Sequence, residues 1–245
     1  MPVTTLNKVI ALFLVGGVVA FLATSLHWEQ LEASVPSSVT NDSGFWVFFA
    51  FLLLPVSALM GAVVEGFSQV TLQNVLKQAR SNRTVARLFG QRRAHDCLNK
   101  WQDLLASLVQ KDLHYQWLAL VNDSDKPWAL RSTAADFLLQ SARPGKFEWL
   151  VQHYATFVLA SNLACVVAVA VVYVLVGNLA AVFGFWWPVL AWATTAQVIA
   201  LLVAGMFAFW ALCSLSISRY LYSHELSARH MSLCLSDERL LKVEE

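Results

Sequence analysis

Four stretches of this sequence run 18 to 28 residues without a single Lys, Arg, Asp or Glu: residues 9–26, 45–64, 157–179 and 188–215. A hydrocarbon core about 30 Å thick is crossed by about 20 mostly apolar residues in a helix. Only helices and closed barrels satisfy every backbone polar group inside lipid, and no segment of useful length has strand periodicity. The expectation is therefore an all-α membrane protein with four transmembrane helices arranged as two hairpins. Composition agrees: only 13% of the 245 residues are charged and 58% are apolar or aromatic, whereas soluble domains carry about a quarter charged residues. Lys8 ahead of the first run also fits a cleaved signal peptide, but the run is longer than most signal cores.

Net charge, +1, says little, but the placement of charge says much. Residues 27–44 contain no Lys or Arg, and residues 180–187 contain no charge, while residues 65–156 hold 12 Lys and Arg and the last thirty hold four more. The excess of basic residues marks the cytoplasmic side. Both ends of the chain and the long middle segment are then expected in the cytoplasm, with a bacterial inner membrane as the expected location. Trp28, Trp46, Trp186 and Trp187 would form an outer aromatic belt, and Tyr154, Tyr220 and Tyr222 an inner one. The expected divisions are a first hairpin over 1–66, a basic cytoplasmic helical domain over 67–150 inserted between spans 2 and 3, a second hairpin over 151–216 and a helical C-terminal tail over 217–245.

The insert reads as helical. Val75, Ala79, Ala86 and Phe89 share one side of a helix continuing from the second span, and Lys77, Arg80, Arg83 and Arg87 share the other. Gly90 punctuates. A helix over 94–111 places Leu98, Trp101, Leu105 and Leu108 on one face. An aromatic segment comes next at 113–121, then a turn at 122–127, and a further helix buries Leu130, Ala134, Phe137 and Leu138. A helix from Lys146 is expected to run unbroken into the third span.

Candidate sites are marked by polar residues in unusual places. Lys77, Arg80, Arg83, Arg87, Arg92 and Arg93 form a basic stripe suited to anionic lipid headgroups or an acidic protein partner, beside the plainer reading of topology signal and solvated face. Nucleic acid is disfavoured, since only Phe89 interleaves an aromatic ring with these charges. Glu65, Asn162, Thr194, Thr195 and Gln197 are polar groups at or near membrane depth that would line a path or serve as hydrogen-bond glue between helices. Ala160, Ala164 and Ala168 form a small-residue stripe for close helix packing.

Four cysteines, Cys97, Cys165, Cys213 and Cys234, show neither CxxC nor Cys/His spacing, so no metal or disulfide framework is expected. His27, Glu29 and Glu32 in the outer segment read as solvent-exposed rather than as a metal site. No dinucleotide, P-loop or nucleophile-elbow motif is present, and no cofactor is expected.

The layout resembles that of the flagellar-stator family, with two hairpins and a large cytoplasmic insert between spans two and three. The resemblance is one of topology: Val169–Val176 and Ala200–Phe209 lack that family's polar, Gly-rich pattern. Membrane subunits of bacterial defence and secretion systems share this size and layout. The expected function is a non-enzymatic, homo-oligomeric membrane subunit that senses or anchors at the membrane lipids and couples them to a cytoplasmic protein partner. The alternative is a small ion channel or pore-forming effector, and a membrane enzyme ranks third.

Overall fold

A computed structural model describes residues 3–26, 43–111, 144–183 and 194–236, and every regular element among them is helical. In chain order these are α1 (Val3–Leu26), α2 (Ser43–Ser68), a π-helical turn (Gln69–Gln73), α3 (Asn74–Lys77), a 3-10 turn (Gln78–Arg80), α4 (Arg83–Leu88), α5 (Arg92–Lys111), α6 (Pro144–Val182) and α7 (Thr195–Ser236). The readings of 27–42 and 113–138 lie outside the described residues. The chain forms two compact units: residues 1–75 with 158–213, and residues 76–157 with 214–245.

Among the described residues, three helices are long and apolar enough to cross a membrane: Val9–Leu26 in α1, Phe147–Ala180 in α6 and Thr195–His230 in α7. They are the mark of an integral membrane protein. α6 has 39 residues and α7 has 42. At 1.5 Å per residue these helices are about 58 and 63 Å long, roughly twice a hydrocarbon core. Only part of each needs to lie in lipid, and charge shows which part. Lys146 and Glu148 precede the apolar run of α6, and Arg219, Glu225 and Arg229 come after that of α7.

In the first unit, α1 and α2 meet at two glycines. A Cβ on Gly16 would overlap the Ser57 carbonyl, and a Cβ on Gly61 would overlap the Leu12 carbonyl. Four residues forward along α1 correspond to four residues back along α2, so the helices run antiparallel with backbones in direct contact. Small residues permit this approach where dispersion, rather than water exclusion, holds helices together. Antiparallel pairing recurs between α6 and α7. The Val171 side chain lies over Gly205, and Val174 packs on Val198 and Leu202 of α7 and Leu26 of α1. Large apolar side chains stand exposed on these helices, among them Phe21, Phe51, Leu59, Val172, Ile199 and Phe207. Such a surface suits lipid and not water.

The second unit is built on the polar half of α7. One side meets the start of α6, antiparallel: Ser216 Oγ donates to the Phe157 carbonyl (3.1 Å), and Arg219 Nη1 lies 3.3 Å from His153 Nδ1. Another meets α5, in parallel: Cys97 Sγ donates to Glu225 (3.2 Å), and the Arg229 guanidinium lies 5.5 Å from the Trp101 ring centre.

The segment after α2 departs from one continuous helix. The sequence places Val75 on the apolar face, yet Val75 is 49% exposed and Leu76 is fully buried. Burial runs in three-residue steps through Gln73, Leu76 and Ala79, so the step back from Ala79 lands on Leu76 and not on Val75. The helix then breaks at Ser81–Asn82. Asn82 Oδ1 accepts from the backbone N–H groups of Thr84 and Val85, capping α4. Ala79 and Ala86, on either side of the break, are fully buried.

Candidate functional site

Gly90 is the pivot of the constellation that most invites a functional reading. Its φ of 74° is left-handed, a conformation that glycine adopts without steric cost. Gly90 N–H donates to the Arg87 carbonyl and Gln91 N–H to the Ala86 carbonyl, which closes the end of α4 as a Schellman motif. α5 starts two residues later, so α4 and α5 form a tight elbow. Ser214 fastens that elbow to α7: its Oγ donates to the Phe89 carbonyl (2.9 Å) and accepts from Gln91 Nε2 (3.0 Å). Ser214 lies at the end of the apolar run of α7, which stops at Leu215, while Ser216 bonds Phe157, where the apolar run of α6 begins. The elbow is thus pinned where both helices pass from apolar to polar sequence.

The basic stripe divides into three groups. Arg83 and Arg92 share the Asp96 carboxylate, at 3.1 and 3.7 Å. The hydrogen bond from Arg83, with the charges of Arg83 and Arg92, holds the Asp96 carboxyl below its ordinary value. Arg80 is half-buried, and its charge acts on Tyr220 and His224 of α7. Lys77 is also half-buried, while Arg87 and Arg93 are exposed with no ion-pair partner among the described residues. Arg87 and Arg93 stand on either side of the elbow. Leu88, beside them, is 70% exposed.

The unit that contains the elbow also holds an aromatic layer. Tyr154, Phe157, Tyr220 and His224 stack in series with ring centres 4.5–5.6 Å apart, and His153 packs edge-on against Tyr222 at 4.8 Å. The tyrosines expected to form an inner belt therefore stand in ring contacts of the same unit as the elbow. Tyr154 and Tyr222 are exposed and Tyr220 is buried.

The five polar residues expected near membrane depth stand in different local settings. Asn162 is buried and accepts from Gln73 Nε2 (3.2 Å), a residue of the π turn that is itself buried. Thr194 and Gln197 close a capping box at the start of α7: Thr194 N–H donates to Gln197 Oε1 (2.8 Å), and Gln197 N–H donates to Thr194 Oγ1 (3.3 Å). Both are exposed, as is Thr195, and Glu65 is half-buried. Ser68 Oγ is buried without a hydrogen-bond partner. In the small-residue stripe, Ala160 and Ala164 are buried inside the single chain and Ala168 is half-buried.

No family model, curated protein or solved structure matches this chain.

No group of three metal-ligating side chains assembles among the described residues. Cys97 is held as a thiol, because the Glu225 carboxylate it bonds, together with burial, pushes its pKa up. The arrangement offers fixed charge, hydrogen-bonded helix contacts and apolar surface, which are the means of binding and anchoring. Sequence reasoning passed over Gln73 and Ser214, both polar residues at the edge of an apolar run. Their signal was position, since a polar side chain at the edge of a span is placed to bond a neighbouring helix.

Proposed function

We propose that this chain is a non-enzymatic membrane subunit that crosses the bilayer four times and couples it to a cytoplasmic protein partner. In this reading α2 is the second crossing. Its 26 residues include one charge, Glu65 near its inner end, and its antiparallel contact with α1 returns the chain to the side from which it set out. Two further crossings by α6 and α7 would put residues 76–157 and the polar half of α7 on the same side. Their packing into one compact unit supports this. The 16 Lys and Arg of the insert and tail favour the cytoplasm for that side. The proposed location is a bacterial inner membrane, and the proposed context a multi-subunit defence or secretion complex.

One observation carries the reading. α6 and α7 each continue as a single unbroken helix from apolar sequence into polar sequence, and the polar half of α7 is fastened to α5 and the elbow. In this reading a movement of the polar half of α7 is passed through those bonds to α5 and the elbow. The proposed state is a homo-oligomer. Ala160 and Ala164 are already spent on packing within one chain, so self-association falls to other faces.

The test pairs two measurements on the full chain. Purified in mild detergent, it is expected to retain a cytoplasmic protein and to lose it when exposed residues of α5 are changed. Reconstituted into liposomes, it is expected to leave an ion gradient intact. Steady dissipation of the gradient, abolished by Asn162→Leu, would favour the channel reading instead.

A further inference from the structure

We propose that the α4–α5 elbow binds the phosphodiester headgroups of anionic phospholipids through Arg87 and Arg93. The inference deepens the proposed function and rests on residues 67–150 facing the cytoplasm.

Three observations converge on it. The first is depth. Ser214 bonds both flanks of Gly90, at Phe89 and Gln91, and lies one residue before the apolar run of α7 ends. The Ser216 bond to Phe157 joins the corresponding boundary of α6. Phosphates of a lipid leaflet occupy this boundary between apolar and polar sequence.

The second is charge. Residues 81–100 hold four arginines, Arg83, Arg87, Arg92 and Arg93, with Asp96 as the one acidic residue of that segment. Asp96 is engaged by Arg83 and Arg92, which leaves Arg87 and Arg93 exposed with no ion-pair partner among the described residues. A guanidinium offers a planar fork of donors that matches two phosphate oxygens, and it desolvates more readily than an ammonium.

The third is rigidity. The Schellman closure at Gly90, the Asn82 cap and the two bonds of Ser214 hold the backbone carrying both arginines. Little backbone entropy remains to be lost when a headgroup binds, and the cost is confined to the two side chains. The exposed Leu88 beside Arg87 can rest against the acyl boundary while the guanidinium reaches the phosphate, as amphipathic surfaces do at an interface. An acidic protein would also complement the charge, but pinning at the apolar boundary favours lipid.

The experiment uses the full chain in mixed micelles of phosphatidylcholine with increasing phosphatidylglycerol, and native mass spectrometry counts the bound lipids. Wild type is expected to retain phosphatidylglycerol in preference to phosphatidylcholine. Each basic residue lost at an anionic surface weakens attachment about fivefold, so R87Q/R93Q should weaken it about 25-fold. K100Q removes an exposed charge farther along α5 and should change retention less than about twofold. R87K/R93K should recover part of the binding, because an ammonium restores the charge but not the planar fork, and any recovery shows that R87Q/R93Q did not simply unfold the protein. Binding of both lipids equally by wild type would overturn the proposal, as would unchanged retention by R87Q/R93Q. Loss of a co-purifying acidic protein from R87Q/R93Q with lipid retention intact would assign the elbow to a protein partner and overturn it too. The four-span reading is measured separately by side-specific labelling, so either result can fail without the other.

Discussion

Replacing Gly16 with alanine probes the α1–α2 contact where the backbones come closest. A Cβ there overlaps the Ser57 carbonyl, and a backbone group cannot swing aside as the tip of a side chain can. Two opposed terms set the outcome. Alanine is favoured over glycine inside a helix by about 1 kcal/mol, whereas overpacking a tight contact costs about 1–3 kcal/mol. Gly17 provides the reference, because it is the next residue of the same helix and its Cβ would meet open space. Subtracting the effect of G17A from that of G16A cancels the helix preference and leaves the clash, about 1–3 kcal/mol. In the unfolding constant that is roughly 5- to 150-fold. The assay is reversible unfolding in mixed micelles of rising dodecyl sulfate content, monitored by helical circular dichroism. G61A should behave like G16A, since its Cβ meets the Leu12 carbonyl. The double variant should cost less than the two singles added, because helices already forced apart at one point leave room at the other. If G16A and G17A are equally stable, the reading of a backbone-to-backbone contact is wrong.

Three further outcomes are expected. Asn162→Leu strands the buried Gln73 amide and should destabilise the protein by about 1–2 kcal/mol; adding Gln73→Leu should cost less than that substitution does alone, and strict additivity in the same unfolding assay would deny the pair. Asp96 is held below its ordinary value by Arg83 first, so its contribution is full above the unfolded carboxylate pKa and is lost as pH falls through the lower folded value. Thermal unfolding scanned toward acid should therefore show a decline that is smaller in D96N, and superimposable profiles would refute the ion-pair reading. The Cys97 thiol is raised mainly by Glu225, so E225Q should speed alkylation of Cys97 at neutral pH, measured by peptide mass spectrometry; an unchanged rate would show that the carboxylate does not control it.

Long elements were legible because an uncharged run of twenty residues has one stable solution in lipid, and α1, α6 and α7 are direct consequences of it. Helical phase beyond the runs was less legible. The buried side follows three-residue steps through Gln73, Leu76 and Ala79, where a four-residue step back from Ala79 pointed to Val75. The break at Asn82 did leave a mark, since Ser81-Asn82-Arg83-Thr84 has the polar N-cap character that a continuous helix lacks. The basic stripe was visible as charge, but its division was not. Whether an arginine meets Asp96, the Tyr220–His224 layer or open surface depends on what folds against it. Thr194 and Gln197 were read as depth-dependent polar groups, yet their three-residue spacing is that of the capping box they form. The Gly16–Ser57 and Gly61–Leu12 contacts join residues more than forty positions apart, so only the small-residue spacing Ser57-x-x-x-Gly61 hinted at them.

The four-span arrangement is tested most directly by side-specific labelling in intact cells. Single cysteines are introduced at Ser37, between the first two runs, and at the exposed Ser81, with the four native cysteines replaced by serine. A membrane-impermeant maleimide should label Ser37→Cys from outside and should reach Ser81→Cys only after the cells are permeabilised. Labelling of Ser81→Cys from outside in intact cells would contradict the arrangement and remove the basis for a cytoplasmic insert.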